Sequence, residues 1–325
     1  MPPGFCYTES KEAMGLRFWK GSVIGFVSAI LGELSFEEMM DFASENGFEC
    51  VEVCCWPKGK AERRYAGVTH INVDEVDEAK AAYIKDYCAK KGVEISALAY
   101  YPNTMDPDLE KRAVYINHIK KLIKAAKLLG VATVNTFVGR DPHKNVDENI
   151  EIFKEVWPPI IRFAEENGIR IGIENCPMLF SNDEWPGGQN LMTTPAIWRR
   201  LFEIIPSKNF GLNYDPSHFV WQQMDYIKPL YEFKDRIFHV HYKDIKIFPD
   251  KLREVGIMAT PLQYMSPKLP GLGDVDWGKY VSALTDIGYD GYTCIEVEDK
   301  AFEKNLDDVK KSILLSRNYM RQFVL

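Results

Sequence analysis

Apolar residues fall along this chain in two alternating patterns. Short runs rich in β-branched side chains lie at 23–30, 50–56, 93–100, 131–138, 169–174, 209–215, 236–243 and 291–298. Between them, apolar residues recur every three or four positions. The first pattern predicts buried strands and the second amphipathic helices. Local signals agree with the periodicity. Ser35 precedes the first helical stretch with Glu38 three residues on, a capping box in which side chains satisfy the end of the backbone. Phe36, Met39, Met40 and Ala43 then share a face, and Gly47 ends the segment. Further helices are expected near 73–91, 107–129, 147–167, 195–204, 221–234, 277–287 and 304–321, with Gly92, Gly130 and Gly168 as stops.

Strands that alternate with helices pair in parallel through crossover connections. Eight such units in a chain of 325 residues predict an α/β fold, a single (β/α)8 TIM barrel. A doubly wound open sheet would want a glycine-rich phosphate loop after its first strand, and the residues after Ile30 do not supply one. Residues 1–20 carry neither pattern and are expected to form an irregular arm. The barrel occupies 21–325 as one domain, and a long Pro-rich insertion at 245–273 follows its seventh strand.

Composition narrows the class of function. The chain is 46% hydrophobic and 27% charged, enough to bury a barrel-sized core. Its net charge of −7 comes without any Lys/Arg cluster, which argues against nucleic acid and anionic membranes as partners. The longest apolar run, 23–31, is too short to span a bilayer, and no signal peptide is apparent at the start. Seven cysteines without a CxxC pair read as reduced, buried thiols of a cytoplasmic protein.

Candidate chemistry collects at the ends of the last four strands. Glu174 ends the fifth, Asp215 the sixth and Glu296 the eighth, while the seventh carries His239 and His241 two apart, on one face. Active-site groups of such barrels sit at the C-terminal strand ends. Three carboxylates and one imidazole make a mostly hard donor set, suited to Mn²⁺, Mg²⁺, Co²⁺ or Zn²⁺.

The motifs IGIENCPM (171–178), GLNYDPSHFVWQ (211–222), IFHVHYKD (237–244), LPGLGDVDW (269–277) and GYDGYTCIEVED (288–299) resemble the xylose-isomerase-like barrels of the sugar phosphate isomerase/epimerase superfamily. The resemblance covers the chain beyond residue 20. It implies that Glu174, Asp215, His241 and Glu296 bind one divalent metal, with Mn²⁺ the first choice. It further implies that Glu174 and Glu296 move the proton beside a carbonyl and that His218 holds substrate. The expected activity is isomerisation or epimerisation of a sugar-like compound through an enediolate. If the enediolate expels a β-substituent, the same start gives a lyase.

Two positions depart from the keto-sugar epimerase pattern. Phe180 stands where an acidic substrate ligand is expected and Ile247 where an arginine is, leaving Lys243 or Lys246 as a substitute cation. The loop FVGRDPHKN (137–145) adds Arg140 as a substrate contact and His143 as a further acid/base. α subunits of bacterial C-glycoside deglycosidases resemble the same superfamily, so cleavage of a 3-oxo-glycoside, like dehydration of an inosose, is a rival expectation. Trp185, Trp221, Tyr264 and Trp277 are candidate walls for a sugar or aryl ring, with packing the simpler role for Trp277. His239 is read as a pocket-wall or satisfied core residue, and His70 and His118 as surface or helix-face residues. Expected partners are a small sugar or oxo-glycoside and further copies of the chain, or a small β subunit in the deglycosidase case. A catalytically silent barrel is the competing non-enzyme reading; a nuclease would want more than six histidines and a basic face.

Overall fold

A computed structural model describes residues 22–59, 66–179 and 187–324. The expected N-terminal arm and Trp185 lie outside these residues. The strands are Val23–Val27 (β1), Cys50–Cys54 (β2), Glu94–Ala99 (β3), Thr133–Thr136 (β4), Arg170–Glu174 (β5), Phe210–Tyr214 (β6), Ile237–Tyr242 (β7), Asp244–Ile247 (β8), Met265–Lys268 (β9) and Tyr292–Ile295 (β10). β1 to β7 and β10 pair in parallel and close a barrel, with β10 lying between β7 and β1. The helices are Phe36–Glu45 (α1), Glu78–Lys91 (α2), Leu109–Leu129 (α3), Val146–Glu166 (α4), Pro195–Ile204 (α5), Ser217–Val220 (α6), Lys228–Glu232 (α7), Pro249–Val255 (α8), Trp277–Asp286 (α9) and Leu306–Met320 (α10).

Local sequence explains most of these boundaries. The capping box forms as expected: Glu38 N–H donates to Ser35 Oγ, and Ser35 N–H to the Glu38 carboxylate. Gly92 and Gly130 take left-handed conformations at the ends of α2 and α3, where a side chain would be strained. Ile119, Leu122, Ile123 and Ala126 are all buried on the inner face of α3.

The sequence expectation differs from the fold in three places. In place of the helix expected at 221–234, a turn follows α6, and only the short α7 is helical within that span. Gln223 adopts a positive φ of 57°, and Pro229, whose missing N–H is harmless only in a first turn, falls at the start of α7. The 245–273 insertion is not irregular throughout, because β8 and β9 form an antiparallel hairpin. Asp244 anchors its base, accepting from the N–H groups of Ile245, Gly271, Gly273 and Val275 and from Trp277 Nε1. Finally, His70 and His118 are buried, each donating from Nε2 to a backbone carbonyl, that of Leu31 and of Cys55.

The barrel interior is unusually polar for a packed core. Glu52, Asn135, Asn213, His239 and His241 are all fully buried inside it. Space for them depends on glycine: a Cβ on Gly172 would lie 2.5 Å from Asn135 Oδ1. His239 is a satisfied core residue, with Nδ1 3.0 Å from Asn213 Oδ1 and Nε2 3.0 Å from Ser96 Oγ.

Candidate metal centre

The C-terminal ends of β5, β6, β7 and β10 bring Glu174, Asp215, His241 and Glu296 together, one ligand atom from each lying within 4.8 Å of all the others. The strand ends are braced before any ligand is considered. Asn175 Nδ2 donates to the Asp215 carbonyl, and Asp215 N–H donates back to Asn175 Oδ1. Asn190 donates to the carbonyls of Glu174 and Cys176, and Glu296 N–H to the Tyr242 carbonyl. Ser217 N–H occupies Asp215 Oδ1 at 2.8 Å and so turns Oδ2 toward the cluster.

Three atoms of the quartet, Asp215 Oδ2, His241 Nδ1 and Glu296 Oε2, are buried without a hydrogen-bond partner. Buried polar atoms of a native fold are normally satisfied, so three converging exceptions call for an occupant. The imidazole is oriented for that role. His241 Nε2 lies 2.8 Å from Glu52 Oε2 and 3.0 Å from Asn213 Nδ2, while Nδ1 faces Glu296 Oε2 at 3.2 Å and Glu174 Oε1 at 3.8 Å. In the neutral ring, a proton held on Nε2 by Glu52 would leave the Nδ1 lone pair for a cation. The donors are hard carboxylate oxygens and one imidazole nitrogen. A divalent cation fits this set.

The electrostatics give the same sign. Burial raises the Glu174 carboxyl, but hydrogen bonds from His218 and His241 overrule it and hold Glu174 far below the usual range. Glu296 goes the other way, pushed up by burial and by Glu174 despite the opposing pull of Lys243. A bound cation would relieve Glu296 and stabilise its ionised form. Burial alone would lower His241; the charges of Glu52 and Glu296 hold it well above the ordinary value.

Other expected site residues divide into two groups. His218 and Lys243 line the same cavity as Glu174 and Glu296. His218 Nε2 sits 3.2 Å from Asp215 Oδ2 and 3.5 Å from Glu174 Oε1, and Trp221 Nε1 lies 3.4 Å from its Nδ1. Lys243 Nζ pairs with Glu298 at 2.6 Å and reaches Glu296 at 3.4 Å. Burial would lower its pKa, but Glu296 and Glu298 keep the ammonium charged. By contrast, Arg140 and His143 are not among the described residues that line the cavity. His143 is exposed, with its N–H on Asp141 Oδ1, while Arg140 Nη2 donates to the Lys144 carbonyl. Lys246 is exposed as well. Trp221 lines the cavity; Tyr264 is buried away from it, and Trp277 packs against Tyr242 and Tyr280.

One residue was not anticipated from the sequence. Glu52, on β2, accepts from Asn135 Nδ2 and His241 Nε2 and makes a short bond with the Tyr101 hydroxyl. Burial raises this carboxyl, yet His241, His239 and Tyr101 together hold it below the ordinary value. Its signal in the sequence is strand parity: Cys50, Glu52 and Cys54 share a face, so a glutamate amid apolar residues had to point into the barrel.

Comparison with known proteins identifies relatives of the chain. The family model described as "Xylose isomerase-like TIM barrel" matches residues 40–319. The uncharacterised protein YfiH of Bacillus subtilis is 26% identical over 311 residues, covering 85% of this chain and 92% of that protein. An inosose dehydratase of Clostridium perfringens is 28% identical over 297 residues, covering 88% of this chain and 93% of the enzyme. Among solved structures, the 3-keto-D-glucoside 4-epimerase YcjR of E. coli superposes with a TM-score of 0.65 at 17% identity, over 93% of this chain and 99% of its own.

Proposed function

The chain belongs to the xylose isomerase-like TIM barrel family, and on that premise we propose that it is a divalent-metal-dependent enzyme acting on a sugar-like carbonyl compound. The enzyme removes the proton beside the carbonyl, passes through an enediolate and returns the proton to give an epimer or an isomer. The observation that carries this reading is the convergence of Glu174, Asp215, His241 and Glu296, two of which line the cavity, with three of their atoms lacking a hydrogen-bond partner. Those four residues would hold the cation, Mn²⁺ first, with Mg²⁺, Co²⁺ or Zn²⁺ suited to the same donors. When bound, it supplies positive charge that acidifies the C–H beside a carbonyl and stabilises the oxyanion that follows.

The remaining work falls to the chain's own groups. Glu174 ends β5 and Glu296 follows β10, with β6 and β7 between those two strands in the barrel, and both line the cavity. One carboxylate takes the proton as the C–H electrons move into the enediolate double bond, and the other delivers a proton. Delivery to the same carbon epimerises, and delivery to its neighbour isomerises. His218 Nε2 and Lys243 Nζ donate to the substrate's oxygens; burial disfavours both charges, but Cys176 and Asp215 raise His218, and Glu296 and Glu298 raise Lys243.

Similarity to inosose dehydratases supports a lyase as the second reading. There the same enediolate re-forms its carbonyl while expelling a β-hydroxyl, or an aglycone, and His218 gives the leaving oxygen its proton. Incubating metal-loaded protein in D₂O with ketohexoses, inososes and 3-oxo-glycosides tests both. Deuterium beside the carbonyl marks the isomerase or epimerase, and absorbance from a conjugated enone or a freed aglycone marks the lyase. Glu174→Gln and Glu296→Gln are each expected to slow proton exchange by at least ~10²-fold, the usual worth of a positioned general base. Exchange at wild-type rate in both variants would rule out the two-glutamate scheme.

A further inference from the structure

The metal cluster occupies only the floor of its cavity, which measures about 840 Å³. Cavities of roughly 300–1,000 Å³ bury drug-sized ligands, so a space near the upper end is large for one free hexose. Polar side chains gather at the inner end, where Glu174, His218, Lys243 and Glu296 meet. The rest of the lining is mostly hydrocarbon and aromatic ring, with Lys251, Ser266 and Lys300 as polar exceptions and Trp56, Phe137, Trp221, Ile245, Phe248 and Met265 as the apolar walls. Three of these apolar residues belong to the insertion after β7. Its hairpin is ordered by pairing from Asp244–Lys268 to Ile247–Met265 and extended by Phe248 N–H bonding to the Tyr264 carbonyl at 2.8 Å. This wall is therefore a built surface, not a loose loop.

We infer that the substrate is a sugar ring bearing an apolar substituent about the size of an aromatic ring, the sugar on the floor and the substituent against the hairpin wall. The inference rests on the enolising reading above, because that reading places the sugar carbonyl at the quartet. Physical cost decides against a larger free sugar. A second hydroxylated ring along these walls would set hydroxyls against Ile245, Phe248 and Met265, whose side chains offer them no partner. An aryl or alkyl group removes apolar surface from water on both sides and leaves no polar atom unsatisfied.

The test compares two probes that differ only in the substituent, phenyl and methyl 3-oxo-β-D-glucopyranoside. Isothermal titration of the metal-loaded full chain measures their Kd values. The phenyl compound should bind at least about tenfold more tightly, and Phe248→Ala and Met265→Ala should each narrow that ratio by half or more. Both side chains are partly exposed, so neither truncation empties the packed core. Equal Kd values, binding of neither compound, or an unchanged ratio in both variants would overturn the inference. Deuterium exchange on the same two compounds keeps the premises apart. Exchange without a phenyl preference leaves the enolising reading standing and removes only the substituent. A phenyl preference without exchange retains the cavity assignment and removes the reaction.

Discussion

At the scale of single residues, the centre is governed by which atoms are left unpaired. Ser217 satisfies one oxygen of Asp215 and Glu52 one nitrogen of His241, so each ligand keeps one free atom aimed at a common point. Asp215→Asn or His241→Ala should therefore cost bound metal before anything else, read as metal per chain by plasma emission after gel filtration. Glu52→Gln is subtler, because glutamine keeps the shape but loses the negative charge and one of the two acceptor oxygens shared among Tyr101, Asn135 and His241. Its metal affinity should fall about 10–100-fold, the usual effect of losing a ligand's orienting partner, with the fold unchanged by circular dichroism. An affinity equal to wild type would mean that Glu52 serves packing alone. The four converging side chains were legible in the sequence because each stands at or beside the end of a strand. Glu52 was passed over because its apolar neighbours hid the significance of its parity.

At the scale of elements, two buried histidines clamp the loops that follow β1 and β2. His118, on α3, donates to the Cys55 carbonyl at 2.8 Å and meets the Tyr100 ring edge-on at 4.6 Å. Burial is the main cause that lowers the pKa of both His118 and His70. The unfolded chain thus binds protons that the folded chain refuses, and stability falls as pH drops below the ordinary histidine value of ~6.5. His241 and His218, raised in the fold, act with the opposite sign, so the prediction is a difference. Urea unfolding at pH 7.5 and 5.5 should show wild type losing more stability on acidification than His118→Gln, whose amide can still donate to Cys55. Identical losses would show that His118 does not set the acid limb. Element spans were readable from periodicity and caps, which are local. The split of α6 from α7 and the β8–β9 hairpin were not, since both depend on partners far along the chain, Asp244 above all.

At the scale of the whole molecule, eight strand ends become a single chemical unit only because the barrel closes. A cation bound by β5, β6, β7 and β10 would tie distant segments, so binding energy would appear as global stability. At a hundredfold excess over Kd the gain is about 2.7 kcal/mol, and chelation should lower the melting temperature by several degrees, restored by Mn²⁺. A melting curve indifferent to both treatments would argue against a cation at this site. The chain alone determined the barrel and the identity of its four converging side chains, because alternation, helix caps and strand-end chemistry are written in neighbouring residues. Only the tertiary structure decided that Glu52 backs His241, that Arg140 and His143 stand outside the cavity lining, and that a hairpin walls the cavity. Those outcomes are set by distances between residues up to 189 positions apart, which chain closure fixes and no local pattern records.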